Sequence, residues 1–130
     1  MIINQWYNDE KTIILQTLSD DWTWDEILQS NKAEMPKLMG AVEHTVHVIV
    51  SLEQSPGLPS GSAILKGKDA TMNFPDNLGL LVIVSPIKYI RVLTDMVSNI
   101  AIINDERKLK SATTIDQALD IISDTSKILD

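Results

Sequence analysis

Cysteine is absent from the 130 residues, which excludes disulfides, a thiol nucleophile and any thiolate metal site. Such a chain fits a reducing compartment, and a cytoplasmic location is the expectation. Basic residues are few: 11 Lys and Arg stand against 18 Asp and Glu, a net charge of −7. No basic run offsets that deficit locally, so neither nucleic acid nor an anionic membrane surface would meet a counter-charge. Long apolar runs are lacking too. The longest, around Leu78 to Val84, is far below the ~18 residues that read as a membrane-spanning helix. The N-terminus, MIINQWYNDEK, has neither the basic stretch nor the apolar core of a signal peptide. Histidine is limited to His44 and His47. Placed on one strand, these two point to opposite faces and cannot share a metal. No cofactor or metal is expected.

What remains is 44% apolar and 22% charged residues, ordinary for one globular domain spanning the whole chain and long enough to build a core without staples. The most informative stretch is VHVIVSLEQSPGLPSGS, Val46 to Ser62. Its first part, Val46 to Leu52, is apolar at almost every position and rich in β-branched residues, the pattern of a central strand covered on both faces. Pro56, Gly57 and Pro59 then break the extended run, and Ser60 or Ser62 can cap a helix beginning near Ala63.

Around this stretch the chain alternates. Ile2 to Tyr7 and Thr12 to Leu18 read as strands joined by an Asn8–Lys11 turn, the first an edge strand with Asn4 and Gln5 facing water. A helix starts at Asp21-Trp22-Thr23-Trp24-Asp25-Glu26-Ile27. Thr23 is the N-cap, Glu26 closes a capping box, and Trp22 can staple onto Ile27. Asp25 and Glu26 suit the positive end of the dipole. Trp24, Ile27, Leu28, Met35, Leu38, Met39 and Val42 follow at helical spacing, with Asn31 the polar interruption. Pro36 should kink or split this helix near Met35, and Gly40 should end it. A short helix, Ser62 to Asp69, precedes a loop over Ala70 to Asn77. LGLLVIV, Leu78 to Val84, is a second buried strand. Ser85-Pro86 then opens a helix from Ile87 to about Ile102. This helix carries one apolar stripe of Ile87, Ile90, Leu93, Val97 and Ile100, and a second of Tyr89, Val92, Met96 and Ile103. Leu109 to Thr113 is a final strand. Thr114 and Gln117 cap a last helix with Ile115, Ala118, Leu119, Ile122 and Leu129 inward. The order β-β-α-β-α-β-α-β-α predicts an α/β fold with a mixed, mostly parallel sheet.

This order, with HVIVSLEQSPGLPSGS at His47 to Ser62, resembles the STAS domain of bacterial anti-sigma-factor antagonists. DWTW at Asp21 to Trp24 and GLLVIV at Gly79 to Val84 look more like stand-alone STAS-like proteins of unknown function. The resemblance implies a STAS-like fold and a non-enzymatic regulatory module that binds another protein. It places the contact surface on the loop Ser55 to Ser62 and the helix that follows. The antagonists' Asp-Ser-Ser-Gly motif, with its phosphorylated serine, falls here on Pro59, Ser60, Gly61 and Ser62. The aspartate is missing and Gly61 replaces the phosphate-accepting serine, so Ser60 or Ser62 would take that role after a one-residue shift.

Each candidate site also has a plainer structural role. Leu58, Pro59, Ser60, Gly61 and Ser62 are the candidate phosphorylation and partner-contact residues, yet a serine before a helix is most simply a cap. A phosphate would nevertheless sit favourably at that helix N-terminus. Trp22 and Trp24, with Met72 and Phe74, would wall a pocket for a small molecule or lipid, although the staple and core positions explain both tryptophans. The STAS fold also resembles lipid-transfer domains, which gives the carrier reading its analogy. Asp20, Asp21 and Asp25 serve the turn and the dipole. The wide apolar face of Ile87 to Ile103 is either covered by the last helix and the sheet or exposed as a homodimer or partner surface. No nucleophile–base or metal constellation emerges.

Overall fold

The computed structural model describes residues 1–61, 63–71, 74–100 and 109–129. Its elements run β1 (Ile2–Trp6), β2 (Ile13–Leu18), α1 (Trp24–Met39), β3 (Val46–Ser51), α2 (Ala63–Thr71), β4 (Leu78–Val84), α3 (Lys88–Ile100), β5 (Leu109–Ala112) and α4 (Ile115–Leu129). The five strands form one sheet in sequential order, with β1 antiparallel to β2 and every later neighbour parallel. The α/β expectation and the element order are therefore met.

Sequential parallel strands joined by crossovers of one hand place the connecting helices on one face. Helices α1, α2 and α3 pack side by side there. Their core joins Ile27, Met35 and Met39 of α1 and Ile90 and Val97 of α3 to Ile14, Leu18, Val48, Val50 and Leu81 of the sheet. After β5 the chain crosses the sheet, and α4 covers the central strands on the other side. Ala118 and Ile122 meet Ile49, Leu80, Val82 and Val84 there. The two faces of β3 and β4 are thus both buried, which accounts for the near-continuous apolar runs of these strands.

The hairpin turn is built by Asn8, whose Oδ1 accepts from the Thr12 and Ile13 amides at 3.0 and 3.3 Å. Asn4 departs from the expected outward placement. Its side chain turns toward α1, donating to Ser30 Oγ and Glu34 Oε2 at 2.6 Å, because alternate residues of a strand face opposite sides and only Gln5 is exposed. At α1, Thr23 Oγ1 accepts from the Glu26 amide and Glu26 Oε1 from the Thr23 amide, the expected capping box. Trp22 and Ile27 join the same core cluster. Pro36 does not split the helix: α1 runs unbroken to Met39 and is capped by Gly40. Pro36 and Lys32 are both exposed, so the carbonyl that loses its helical donor lies on the solvent side.

The β3–β4 pairing is irregular. Val46 pairs with Leu78 and Val48 with Leu81, leaving Gly79 and Leu80 opposite His47 alone. This is a bulge. The His47 ring lies against Gly79, and the Leu80 amide donates to His47 Nδ1 at 2.8 Å. Burial holds the His47 imidazole below its ordinary pKa of 6.5. His44 is exposed, with its Nε2 2.8 Å from the Lys11 carbonyl.

Candidate functional site

Between the sheet and the α1–α3 layer lies a partly enclosed cavity of about 90 Å³. The sheet supplies Gln16, Leu18, Val50, Leu81, Ile83 and Leu109, and the helices supply Ile27, Asn31, Ala63, Gly67, Ala70, Ile90, Leu93, Thr94 and Val97. Trp22 and Trp24 close one wall, and Leu58, Leu52 and Phe74 complete it. Three of the four residues predicted as a pocket (Trp22, Trp24 and Phe74) are thereby brought together, while Met72 lies outside the described residues. No Asp, Glu, Lys, Arg or His lines this space among the described residues.

The two indoles meet edge to face, centroids 5.1 Å apart at 82°, but their N–H groups fare differently. Trp22 is buried, and its Nε1 donates to Ser55 Oγ at 2.8 Å; Ser55 Oγ in turn donates to the Gly57 carbonyl at 2.6 Å. That chain ties the loop after β3 to the helix entrance. Trp24 Nε1 is equally buried yet has no hydrogen-bond partner among the described residues.

Gln16 is the second exception. Its side chain is fully buried, and Nε2 lies 2.9 Å from Asn4 Oδ1 and 3.1 Å from Asn31 Oδ1. Asn31 is oriented by its own Nδ2, which donates to the Ala70 carbonyl at 2.9 Å. Turning the Gln16 amide around would set its oxygen against two acceptor oxygens, so its orientation follows from the network. Gln16 Oε1 consequently has no donor among the described residues. A buried polar atom left unpaired costs about 1–3 kcal/mol. Native proteins keep such atoms rare.

The wall is thus mostly apolar, with Gln16, Asn31 and Thr94 its uncharged polar side chains besides the tryptophans. Thr94 is the remaining hydroxyl, and it donates to the Ile90 carbonyl at 2.9 Å. Neither Gln16 nor Asn31 stood out in the sequence as a site residue. Their signal was polarity at a core-facing position: Gln16 alternates with Ile14 and Leu18, and Asn31 interrupts the α1 stripe.

The residues predicted for partner contact fall on the loop before α2. Leu58 and Pro59 are half-buried, Ser60 and Gly61 are exposed, and Ser62 lies outside the described residues. Leu58 belongs to the cavity wall, and Gly61 stands beside the Trp24 ring. Burial follows the two stripes only in part, since Ile87, expected at the head of the first, precedes α3 and is 37% exposed. Ile90 and Val97 are buried, whereas Tyr89, Val92 and Met96 are 65%, 45% and 41% exposed. The reason is topological, since α4 packs on the opposite face of the sheet and cannot cover them. The Ile100 side chain and residues 102 and 103 lie outside the described residues. Among the described residues no helix is long and apolar enough to cross a membrane, and no group of acidic or histidine side chains forms a metal site. Comparison with protein-family models, with curated proteins and with solved structures returns no match.

Proposed function

We propose that the protein is a non-enzymatic binding module that holds a small, mainly apolar molecule between its sheet and the α1–α3 layer. The observation that carries this reading is a partly enclosed cavity of about 90 Å³ lined mostly by apolar side chains, with Gln16, Asn31 and Thr94 among them. Ligand sites show this composition, apolar walls with a few convergent polar groups. Among the described residues the lining carries no charged side chain, and its polar groups suit recognition of an uncharged molecule. Xenon, which enters dry apolar cavities, tests the space directly by NMR. Methyl signals of Leu81, Ile90 and Val97 are expected to shift under xenon, and unmoved signals would sink the reading.

A second reading, a STAS-type protein-binding module, draws on a different surface. Leu65 of α2 is 63% exposed, and α2 packs beside α3 with its bare Tyr89, Val92 and Met96. A partner or a second copy would cover these residues, and Ser60, exposed in the adjoining loop, would be open to a kinase. Subunit count by light scattering, compared between the native chain and a Val92→Lys, Met96→Lys variant, tests the self-association form. A monomer in both would remove it.

A further inference from the structure

We infer that the open edge of β1 takes up an extended segment of a partner protein in which basic and apolar residues alternate. This edge lies apart from the cavity and from the exposed α2–α3 patch.

β1 ends the sheet and pairs with β2 alone. The Tyr7 N–H donates to the Ile13 carbonyl and the Ser19 N–H to the Met1 carbonyl, so in this antiparallel ladder the odd-numbered residues of β1 bond to β2. The N–H and C=O groups of Ile2, Asn4 and Trp6 therefore point out of the sheet, a template for another strand. Shortness, charge or proline ordinarily guards such an edge. β5, the opposite edge, is four residues long and carries Lys110, whereas Ile2–Trp6 holds neither a charge nor a proline.

The two faces beside the edge define what the added strand carries. On one side α1 stands over β1, and its Asp25, Glu26 and Glu34 line a cleft together with Ile2. No lysine or arginine lines that cleft among the described residues. Because α2 joins β3 to β4 and lies toward the middle of the sheet, this flank of α1 overlooks the edge. On the other side α4 packs on β3, β4 and β5, and Ile3 and Tyr7 of the edge region are 46% and 45% exposed. Side chains of a strand alternate between faces. A segment laid along β1 thus sets every second residue toward carboxylates and the others toward apolar surface. Lysine or arginine alternating with aliphatic residues meets both demands, and the backbone supplies the pairing. A second copy of this chain fits less well. Its β1 brings no cation, and self-pairing would bring together two acidic α1 flanks of chains that each carry −7.

The probe is a peptide of alternating lysine and valine, long enough to span Ile2–Trp6 and blocked at both ends, titrated into the full chain and followed by NMR. With the peptide at roughly ten times its dissociation constant, amide hydrogen exchange at Ile2, Asn4 and Trp6 is expected to slow about tenfold. Exchange at Ile3 and Gln5, already bonded to β2, is expected to change little. A peptide with glutamate for lysine, and a lysine peptide with every backbone amide methylated, are each expected to bind at least about tenfold more weakly. Asp25→Asn combined with Glu34→Gln, both at exposed positions, is expected to weaken the lysine peptide about threefold to tenfold. Unchanged exchange at Ile2, Asn4 and Trp6 overturns the proposal, as does equal binding of the glutamate or the methylated peptide. Protection of the same amides that appears without peptide and grows with protein concentration gives the edge to a second copy, and overturns it too.

Discussion

Replacing Gly79 by alanine puts a methyl group against His47 Nδ1, 2.5 Å from His47 Cε1 and 2.8 Å from Thr45 Cγ2. The His47 ring is not free to yield cheaply. The ring is held in the β3–β4 bulge by the Leu80 amide at 2.8 Å, and Leu80 is buried beneath α4. Overpacking of this kind costs about 1–3 kcal/mol. Displacing the ring to relieve it strands the Leu80 N–H, adding about 1–3 kcal/mol. The Gly79→Ala variant should therefore lose about 2–6 kcal/mol of unfolding free energy. Urea denaturation followed by circular dichroism measures this. Made on a His47→Ala background, the same substitution meets only Thr45 and should cost less than about 1 kcal/mol. The cycle then yields a coupling of at least about 1 kcal/mol. Costs that add to within about 0.5 kcal/mol would refute the bulge packing as the reason for glycine at this position.

Other perturbations have equally definite outcomes. The native state keeps His47 neutral, since burial lowers its pKa from 6.5, whereas the unfolded chain titrates near ~6.5. Below about pH 6.5 the unfolded state binds a proton that the native state refuses, so this contribution to stability is whole above that pH and lost as the pH falls. The native chain should thus lose more stability than a His47→Gln variant between pH 7 and about 5.5, read by denaturant titration at both. Gly67 sits mid-helix in α2, and a Cβ there would rest 3.7 Å from Val97 Cγ2, an ordinary contact. Gly67→Ala should stabilise by about 0.5–1 kcal/mol, raising the melting temperature. Ser55→Ala strands the Trp22 N–H and should cost about 1–3 kcal/mol, with faster hydrogen exchange at that indole.

The architecture was legible in the sequence because its signals are local and redundant. Val46 to Ser51 and Leu78 to Val84 are apolar on both faces, the Thr23–Glu26 box marks a helix start, and the alternation of elements then dictates a parallel sheet. Pro36 does not split α1, since a proline breaks one helical hydrogen bond and the carbonyl it frees here lies on the exposed side. Asn4 was misplaced because an edge strand leaves open which of its faces meets a helix. The second stripe of α3 posed a choice that periodicity cannot make. Whether Tyr89, Val92 and Met96 are covered depends on which side of the sheet α4 takes, a property of the whole topology. The candidate site was half visible. Trp22, Trp24 and Phe74 are legible as pocket candidates because they are large aromatics, whereas Asn31 reads only as a polar interruption of the α1 stripe and Gln16 carries no signal of its own beyond polarity. Only three-dimensional packing joins residues fifteen positions apart into one network and exposes the oxygen it leaves over.

On the proposed function the cavity is occupied in the working protein. Native mass spectrometry of the chain purified without denaturation from its own host cells tests this, beside Gly67→Leu, whose added side chain fills the space next to Val97. A small-molecule adduct is expected on the native chain and none on the variant. A ligand-free mass for both, or an adduct that survives in Gly67→Leu, would overturn the pocket reading.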